Sequence, residues 1–253
     1  MIEFENIRKE YGKKTAVENL NLVIPHGELF VLVGPNGAGK TTTLKMLVGL
    51  LKPTRGRITI GGHDLATAPE KAKSLISFVP DVPYVYDKLT PRELLRFVGS
   101  LYEIAPKEIA SRTDELLSFF SLDHVRDCLI EEFSHGMKQK SILAASLLHH
   151  PEVLILDEPM VGLDPMSIKS FKDFLRSKSK DGMTIIFSTH TLSMAEELGH
   201  RIGIFHGGRM LALGTLEELR ERYQSRENLE SMFMQLVEKE EAAGKEKATL
   251  DRR

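Results

Sequence analysis

One short segment limits the folds open to this chain more than any other. Residues 34–41 read G-P-N-G-A-G-K-T and match the phosphate-binding pattern G-x-x-x-x-G-K-[ST]. An apolar run at 28–33 (E-L-F-V-L-V) predicts a buried strand before the segment, and residues 39–51 predict a helix after it. A glycine-rich turn between a strand and a helix directs backbone N–H groups at an anion. We therefore predict a phosphate-binding loop rather than an ordinary turn.

The side chains of this loop suit a nucleoside triphosphate. Lys40 would reach the β- and γ-phosphates, and the Thr41 hydroxyl would ligate Mg²⁺. The nucleotide-binding residues predicted here are Gly34, Pro35, Asn36, Gly37, Ala38, Gly39, Lys40, Thr41 and Thr42. A phosphate loop alone leaves kinases, GTPases and ATPases open.

A second segment, V-L-I-L-D-E-P at 153–159, narrows that choice. It predicts a strand with Asp157 and Glu158 at its carboxyl end, beside the phosphate loop of a parallel sheet. Asp157 would hold the Mg²⁺, and Glu158 would orient and deprotonate a water molecule. A small-molecule kinase must keep water away and has no use for the second acid, and the N-K-x-D pattern of GTPases is absent. These residues favour ATP hydrolysis.

His190 is distinguished from the other histidines by its position. It follows a strand predicted at 184–187, in F-S-T-H-T, next to the strand that ends in Asp157 and Glu158. Its neutral ring can accept from or donate to the γ-phosphate and the attacking water. The predicted catalytic residues are therefore Glu158, His190 and Lys40.

The remaining patterns divide the chain into an α/β part and a helical insertion. Strands are predicted at 19–24, 28–33, 57–60, 153–156 and 184–187, and helices at 39–51, after Asp164-Pro165, at 191–198 and after Thr215. Between these parts, a capping box of Thr90 and Glu93 with Pro91 begins a helix, and two more are predicted at 106–120 and 137–148. Alternating strands and helices imply a mostly parallel sheet covered on both faces.

Composition limits the class of protein. The chain has 253 residues, 42% of them apolar and 28% charged, with a net charge of −2, which argues against a nucleic-acid partner. One cysteine, Cys128, excludes an intramolecular disulfide and is expected to be buried. No apolar run reaches the roughly 18 residues of a membrane span. We expect a cytoplasmic protein, at most peripheral on a membrane, so that any membrane role requires a separate partner chain.

Taken together, these motifs resemble the ATP-binding subunit of an ABC transporter, in family order from Tyr11 to about Gly214. Residues 34–42 resemble its Walker A motif, 153–158 its Walker B motif with a catalytic glutamate, and 162–165 its D-loop. The resemblance implies an α/β fold: a P-loop NTPase, RecA-like core with an N-terminal antiparallel β-subdomain and an inserted α-helical subdomain. The domains expected are an ATP-binding core at 1–82 and 151–223, a helical subdomain at 83–150, and a charged, helical tail at 224–253, solvated or frayed at its end.

The resemblance also assigns residues that the other patterns leave unexplained. Tyr11 stands where the family stacks an aromatic ring on adenine, and His190 stands at the switch histidine. F-S-H-G-M at 133–137 falls where the family has its L-S-G-G-Q signature. By resemblance, Ser134 and Gly136 contact the γ-phosphate bound by the opposite subunit, and a serine hydroxyl with helix-start N–H groups suits that anion. Taken alone, this stretch is equally an ordinary solvated helix start.

Three positions depart from the family pattern. His135 replaces a glycine, which is harmless at negative φ and destabilising at positive φ. Met137 replaces the glutamine of the signature. Asp81, in I-S-F-V-P-D, stands where the family usually has glutamine, and an ionised carboxylate cannot donate a hydrogen bond. Asp81 could still hold Mg²⁺ or a water, so we include it with Thr41 and Asp157 as a metal-site candidate.

The resemblance implies a mechanism with ATP and Mg²⁺ as cofactors. Two such chains, as a homodimer or a heterodimer, would close on ATP and drive a separate transmembrane permease on the inner face of the cell membrane. The wording S-H-G-M-K-Q-K is similar to that of bacterial exporter-type subunits. The alternatives are a soluble regulatory ABC ATPase and a module that holds ATP without hydrolysing it. Long coiled coils, as in DNA-repair relatives, have no room between Thr41 and Ser134.

Overall fold

The computed structural model describes residues 1–82, 85–223 and 228–250. Its strands are β1 (Ile2–Tyr11), β2 (Lys14–Ile24), β3 (Leu29–Val33), β4 (Arg55–Ile60), β5 (His63–Asp64), β6 (Ile76–Val79), β7 (Val153–Asp157), β8 (Thr184–Thr189), β9 (Arg201–His206) and β10 (Arg209–Gly214). Its helices are α1 (Lys40–Leu47), α2 (Pro69–Ser74), α3 (Pro91–Leu101), α4 (Pro106–Phe119), α5 (His135–Ser146), α6 (Pro165–Lys180), α7 (Leu192–Leu198), α8 (Leu216–Arg222) and α9 (Leu229–Leu250).

The strands form two sheets. The first has the order β2-β1-β4-β5 and is antiparallel throughout. The second has the order β10-β9-β3-β8-β7-β6, in which β10 alone runs antiparallel to its neighbour. An α/β fold with a mostly parallel sheet and an N-terminal antiparallel sheet is therefore confirmed.

The central strands of the parallel sheet have apolar sequences because both faces are covered. Every residue of β3, β7 and β8 is buried. In this sheet β7 and β8 lie side by side, and β8 pairs with β3. The carboxyl ends of β3, β7 and β8 therefore meet at one edge, where the loop at 34–39, the two acids and His190 follow.

The predicted helix starts agree with the structure wherever a capping residue was identified. Thr90 and Glu93 form the expected capping box of α3, and Thr215 with Glu218 forms that of α8. Asp164 accepts hydrogen bonds from the first turn of α6. The exception is α5, which begins at His135 rather than at 137, because the N-cap is Ser134.

One apolar cluster joins the helices between β6 and β7 to the parallel sheet. We call it the shared apolar cluster. Its buried members include Leu95 and Leu117 from the helices, Val31 and Leu154 from the sheet, and Phe171 from α6. The helices therefore have no core separate from that of the sheet. The division into domains at 1–82, 83–150 and 151–223 remains a prediction, and residues 83–84 lie outside the described part.

One expectation about the surface needs correction. Cys128 is exposed rather than buried, because it lies in the irregular segment between α4 and α5. The tail was predicted to be helical, and it contains helix α9, whose first turns are anchored, since Leu229 and Met232 are fully buried. The solvated or frayed end of the tail stays a prediction. Residues 224–227 and 251–253 of the predicted tail lie outside the described residues.

The helices in the described ranges were also compared with the requirements of a membrane span. Within residues 1–82, 85–223 and 228–250, no helix combines the length and the apolar character needed to cross a bilayer.

Candidate functional site

The glycine-rich loop after β3 curls as the sequence predicts. Gly39 has φ +112, and a Cβ there would lie 2.6 Å from the carbonyl oxygen of Ala16, so no larger residue fits. The next residue, Lys40, is 5% exposed and begins α1. Its Nζ donates to the carbonyl oxygen of Gly34 at 2.7 Å and of Pro35 at 3.2 Å. The lysine ammonium thus lies inside the concave side of the loop.

Asp157, at the end of β7, is fully buried. Its Oδ1 accepts from the Ser188 hydroxyl at 2.5 Å and from the Thr41 hydroxyl at 3.2 Å. Burial raises the pKa of the Asp157 carboxyl, the two hydroxyl bonds oppose that shift, and the charges of Asp81 and Glu158 add to it. The site thus contains a buried carboxylate whose charged form burial disfavours.

The residues present fit a divalent cation at this position. The Oδ2 of Asp157 is buried and has no hydrogen-bond partner among the residues that the structure describes, and the Thr41 hydroxyl donates to the other oxygen of the same carboxylate. In the described part of the chain, no three His, Cys, Asp or Glu side chains lie close enough together to bind a metal ion. This donor set suits Mg²⁺, which takes one or two protein oxygens and completes its shell with phosphate oxygens and water.

Glu158, the second acid, lies between a lysine and a histidine. Its Oε1 is 3.4 Å from Lys40 Nζ, and its Oε2 accepts from His190 Nδ1 at 3.0 Å and from the His190 backbone N–H at 3.3 Å. The Glu158 backbone has φ +48, a conformation uncommon for this residue type, and its N–H donates to the Ser188 hydroxyl at 3.0 Å. The structure therefore brings the three predicted catalytic residues together.

Tyr11 lies near the same loop without touching the acids. Tyr11 ends β1 and pairs with Lys14 across the hairpin. Lys14 is two residues before Ala16, whose carbonyl oxygen lies next to Gly39 of the loop. Tyr11 is 48% exposed, and Lys9 Nζ lies 5.2 Å from the centre of its ring. The exposed aromatic face is compatible with the adenine contact, which stays a prediction.

Ser134 is the N-cap of α5, and Gly136 lies in its first turn. Among the described residues, the Ser134 hydroxyl oxygen bonds only with the N–H of Met137, at 3.4 Å. His135 is exposed and helical, and it is not among the residues with positive φ. The replacement of glycine by histidine therefore adds a side chain without backbone strain. Its ring lies against Gly162, where a Cβ would be 3.3 Å from His135 Nε2.

Asp81 is not joined to Asp157 by a hydrogen bond. It is exposed, and its Oδ1 accepts from the backbone N–H of Val82 at 2.8 Å. Its charge is nevertheless close enough to contribute to the raised pKa of Asp157. A metal role for Asp81 therefore remains a prediction.

Sequence reasoning missed two residues that shape the site. Ser188 bonds both Asp157 and the backbone of Glu158. Gln139, buried in α5, donates through Nε2 to the carbonyl oxygen of Pro159 at 3.2 Å. The only signal for Ser188 was its place in F-S-T-H-T at the end of a strand, and its partner becomes evident once β7 and β8 pair with Asp157 opposite Ser188.

Comparisons with known proteins agree with this geometry. A family model described as ABC transporter matches residues 17–161. The linearmycin resistance ATP-binding protein LnrL of Bacillus subtilis (strain 168) is 41% identical over 219 residues, which cover 87% of this chain and 70% of that protein.

Solved structures give the same result. An ATP-binding subunit of an ABC transporter superposes with a TM-score of 0.87 at 34% identity, over 94% of this chain and 99% of that one. A dimeric ATP-binding cassette in a post-hydrolysis state, bound to ADP and Pi, superposes with a TM-score of 0.77 at 25% identity, over 85% of this chain and 99% of that one.

Proposed function

The chain belongs to the ABC transporter family, and from this premise we propose that two copies, or one copy and a related subunit, close around ATP to drive a membrane permease. The chain is an ATP-binding subunit that hydrolyses ATP and couples hydrolysis to a transport system. One observation carries the proposed chemistry: a glutamate at the end of β7 lies between the loop lysine and a histidine, beside a buried aspartate.

The roles follow from the side chains. Lys40 exchanges its loop carbonyl partners for the β- and γ-phosphates of ATP, which leaves Glu158 free to accept a proton from the attacking water. His190 orients the Glu158 carboxylate and the water. Asp157 and Thr41 would hold Mg²⁺, which neutralises phosphate charge when bound. Tyr11 provides the face for adenine.

Each ATP in this proposal lies between the loop of one chain and the first turn of α5 of the other. Ser134 and Gly136 supply a hydroxyl and helix-start N–H groups to the terminal phosphate. The exposed apolar side chains of Val161 and Met166, close in sequence to Gly162, support a chain–chain contact there. The dimeric cassette with ADP and Pi is a relative in which two such chains assemble.

The permease would bind at the groove between the helices and the parallel sheet. This groove has a volume of about 420 Å³ and includes Leu50, Tyr86 and Leu101, each more than half exposed. Exposed apolar side chains of this size suit a cytoplasmic helix of a membrane protein. In this proposal the chain lies on the inner face of the cell membrane. The likeness to a linearmycin resistance protein supports export and does not favour the soluble regulatory alternative.

The proposal is tested by purifying the tagged chain from its own host in mild detergent. We expect a polytopic membrane protein to co-purify and the complex to release phosphate from ATP in steady state. A tagged chain that releases phosphate but retains no membrane protein, before and after mild crosslinking, contradicts the permease. A chain that binds ATP without releasing phosphate contradicts the catalytic assignment.

A further inference from the structure

Gln139 is a polar side chain that the proposed mechanism leaves unused and that connects two parts of it. It lies on α5, five residues after Ser134, and is 5% exposed. Its amide Nε2 donates to the carbonyl oxygen of Pro159 at 3.2 Å. A buried amide that bonds a backbone carbonyl on another element fixes the distance between the two elements, since breaking the bond leaves both groups unsatisfied.

The carbonyl that Gln139 binds is next to the catalytic glutamate. Pro159 directly follows Glu158, whose backbone is held at φ +48. A non-glycine residue keeps such a conformation only where its surroundings enforce it. The enforcing contacts include the Ser188 hydroxyl on the Glu158 N–H and the bond from Gln139, and of these two the second comes from the helical region.

A second contact joins the same two segments. The His135 ring lies against the Gly162 backbone, where a Cβ would meet Nε2 at 3.3 Å, and Gly162 itself has φ +76. One residue later, a Cβ on Gly136 would lie 3.4 Å from the Ser167 hydroxyl oxygen. The first turn of α5 thus packs directly on the segment that follows Glu158.

From these contacts we infer that Gln139 is a positioning residue for Glu158 of its own chain, and that it links the two ATP sites of the dimer. The inference rests on the proposed function, in which the first turn of α5 binds the partner's ATP. A displacement of that turn on meeting the partner's phosphate is transmitted through the Gln139–Pro159 bond to the backbone of Glu158. The state of one site thereby sets the placement of the general base in the other.

The test uses mixed dimers in which a single site hydrolyses ATP. Two differently tagged chains are co-expressed and purified through both tags, with Glu158→Gln in one chain. In the first dimer, Gln139→Met is in the chain that retains Glu158. In the second, Gln139→Met is in the chain that carries Glu158→Gln. Methionine keeps the length of the side chain and removes the donor.

We expect the first dimer to lose about tenfold in kcat, an effect comparable to the loss of one hydrogen bond, with KM for ATP within about twofold. The second dimer should keep the rate of the same dimer without Gln139→Met. Equal losses in both dimers, a loss confined to the second, or no loss in either overturns the inference. A second variant, Gln139→Asn, keeps the amide but is one methylene shorter, and we expect it to act in the same direction.

The controls separate stability from positioning. Ser141→Ala, on the same helix, removes a buried hydroxyl that bonds the Met137 carbonyl oxygen within α5 at 2.9 Å, and it should leave kcat unchanged. If the parent dimer does not hydrolyse ATP, or the Glu158→Gln chain does not dimerise on ATP, the proposed function fails. If both behave as proposed and the mixed dimers do not differ, only the inference fails.

Discussion

The edge of the parallel sheet and the first turn of α5 both face phosphate in the proposed dimer, yet they are built in opposite ways. At the sheet edge, Lys40 and Asp157 are buried and bonded by groups of the same chain. At the first turn of α5, Ser134 is exposed and bonds only its own helix among the described residues. The first surface is preorganised for chemistry, and the second is a half-site that requires another chain.

The largest expected effect comes from removing the general base at the sheet edge. Glu158→Gln should lower kcat by roughly 10²–10⁴-fold, the usual contribution of a positioned acid or base. ATP should still bind, so an ATP-bound dimer should accumulate, as measured by phosphate release and sedimentation. Glu152→Gln, an exposed change before the opposite end of the same strand, is the control. A Glu158→Gln chain that turns over at the parental rate shows that the base is assigned wrongly.

The next effect is expected at the half-site. Ser134→Asp keeps an N-cap of equal quality, so the stability of the chain should change little. Its negative charge should oppose the partner's phosphate and weaken ATP-driven association by about tenfold or more, about 1.4 kcal/mol. Sedimentation in the Glu158→Gln background measures this ATP-driven association, and Ser134→Asn serves as the neutral control. Equal association by the two variants would mean that the first turn of α5 does not meet phosphate.

A moderate effect concerns stability at the sheet edge. Because the pKa of Asp157 is raised in the folded chain, its carboxyl group loses its proton at a lower pH in the unfolded chain than in the folded one. The folded protein without cation or nucleotide therefore loses stability as pH rises above the usual aspartate value. Asp157→Asn should remove this loss and raise Tm by about 3 °C or more near neutral pH, where about 1 kcal/mol corresponds to roughly 2–4 °C.

The sign of that change is checked by scanning calorimetry from about pH 4 to pH 7.5 without nucleotide. The Tm difference between Asp157→Asn and the parent should increase with pH and then level off. Mg²⁺ with a non-hydrolysable ATP analogue should raise Tm of the parent more than that of the variant. A Tm difference that is constant with pH would contradict the electrostatic cause.

The smallest expected effect lies beyond the far end of α5. The His149 ring stacks on Tyr102 with centres 3.8 Å apart, and its Nε2 bonds the Ile76 carbonyl oxygen at 3.1 Å. Burial lowers the pKa of His149, so the folded state loses stability as pH falls below the usual histidine value. His149→Phe keeps the ring stack but cannot be protonated. Between pH 7.5 and pH 5.5, its free energy of unfolding, measured in urea, should fall by about 1 kcal/mol less than that of the parent. The exposed His124→Phe should behave like the parent.

The same contrast explains what the sequence predicts well. The loop at 34–41 and the strand ending in Asp157 are local patterns, and their placement follows from the rule that parallel strands end together. Capping residues located the starts of α3, α6 and α8. At α5 the cap, Ser134, was read as part of the half-site, so the helix was predicted two residues late.

What the sequence does not predict depends on pairs of residues far apart along the chain. No strand was predicted at β1, where charged residues interrupt the apolar pattern; this strand pairs both with the following strand β2 and with β4, which is far away along the chain. Ser188 and Gln139 gain their meaning from Asp157 and Pro159, which only the folded register and the packing of α5 bring near. The left-handed backbone of Glu158 has no local sequence signal.

The shared apolar cluster has a consequence for interchanging parts between relatives. Because Leu95 and Leu117 of the helices pack in the same interior as Val31 and Leu154 of the sheet, the helices cannot be cut out as a self-supporting unit. In a chimera that receives the helices of another family member, the apolar side chains of those helices would pack against a sheet whose side-chain volumes do not match them. To change which permease the chain binds, substitution of the exposed groove residues is therefore preferable to replacement of the whole helical region.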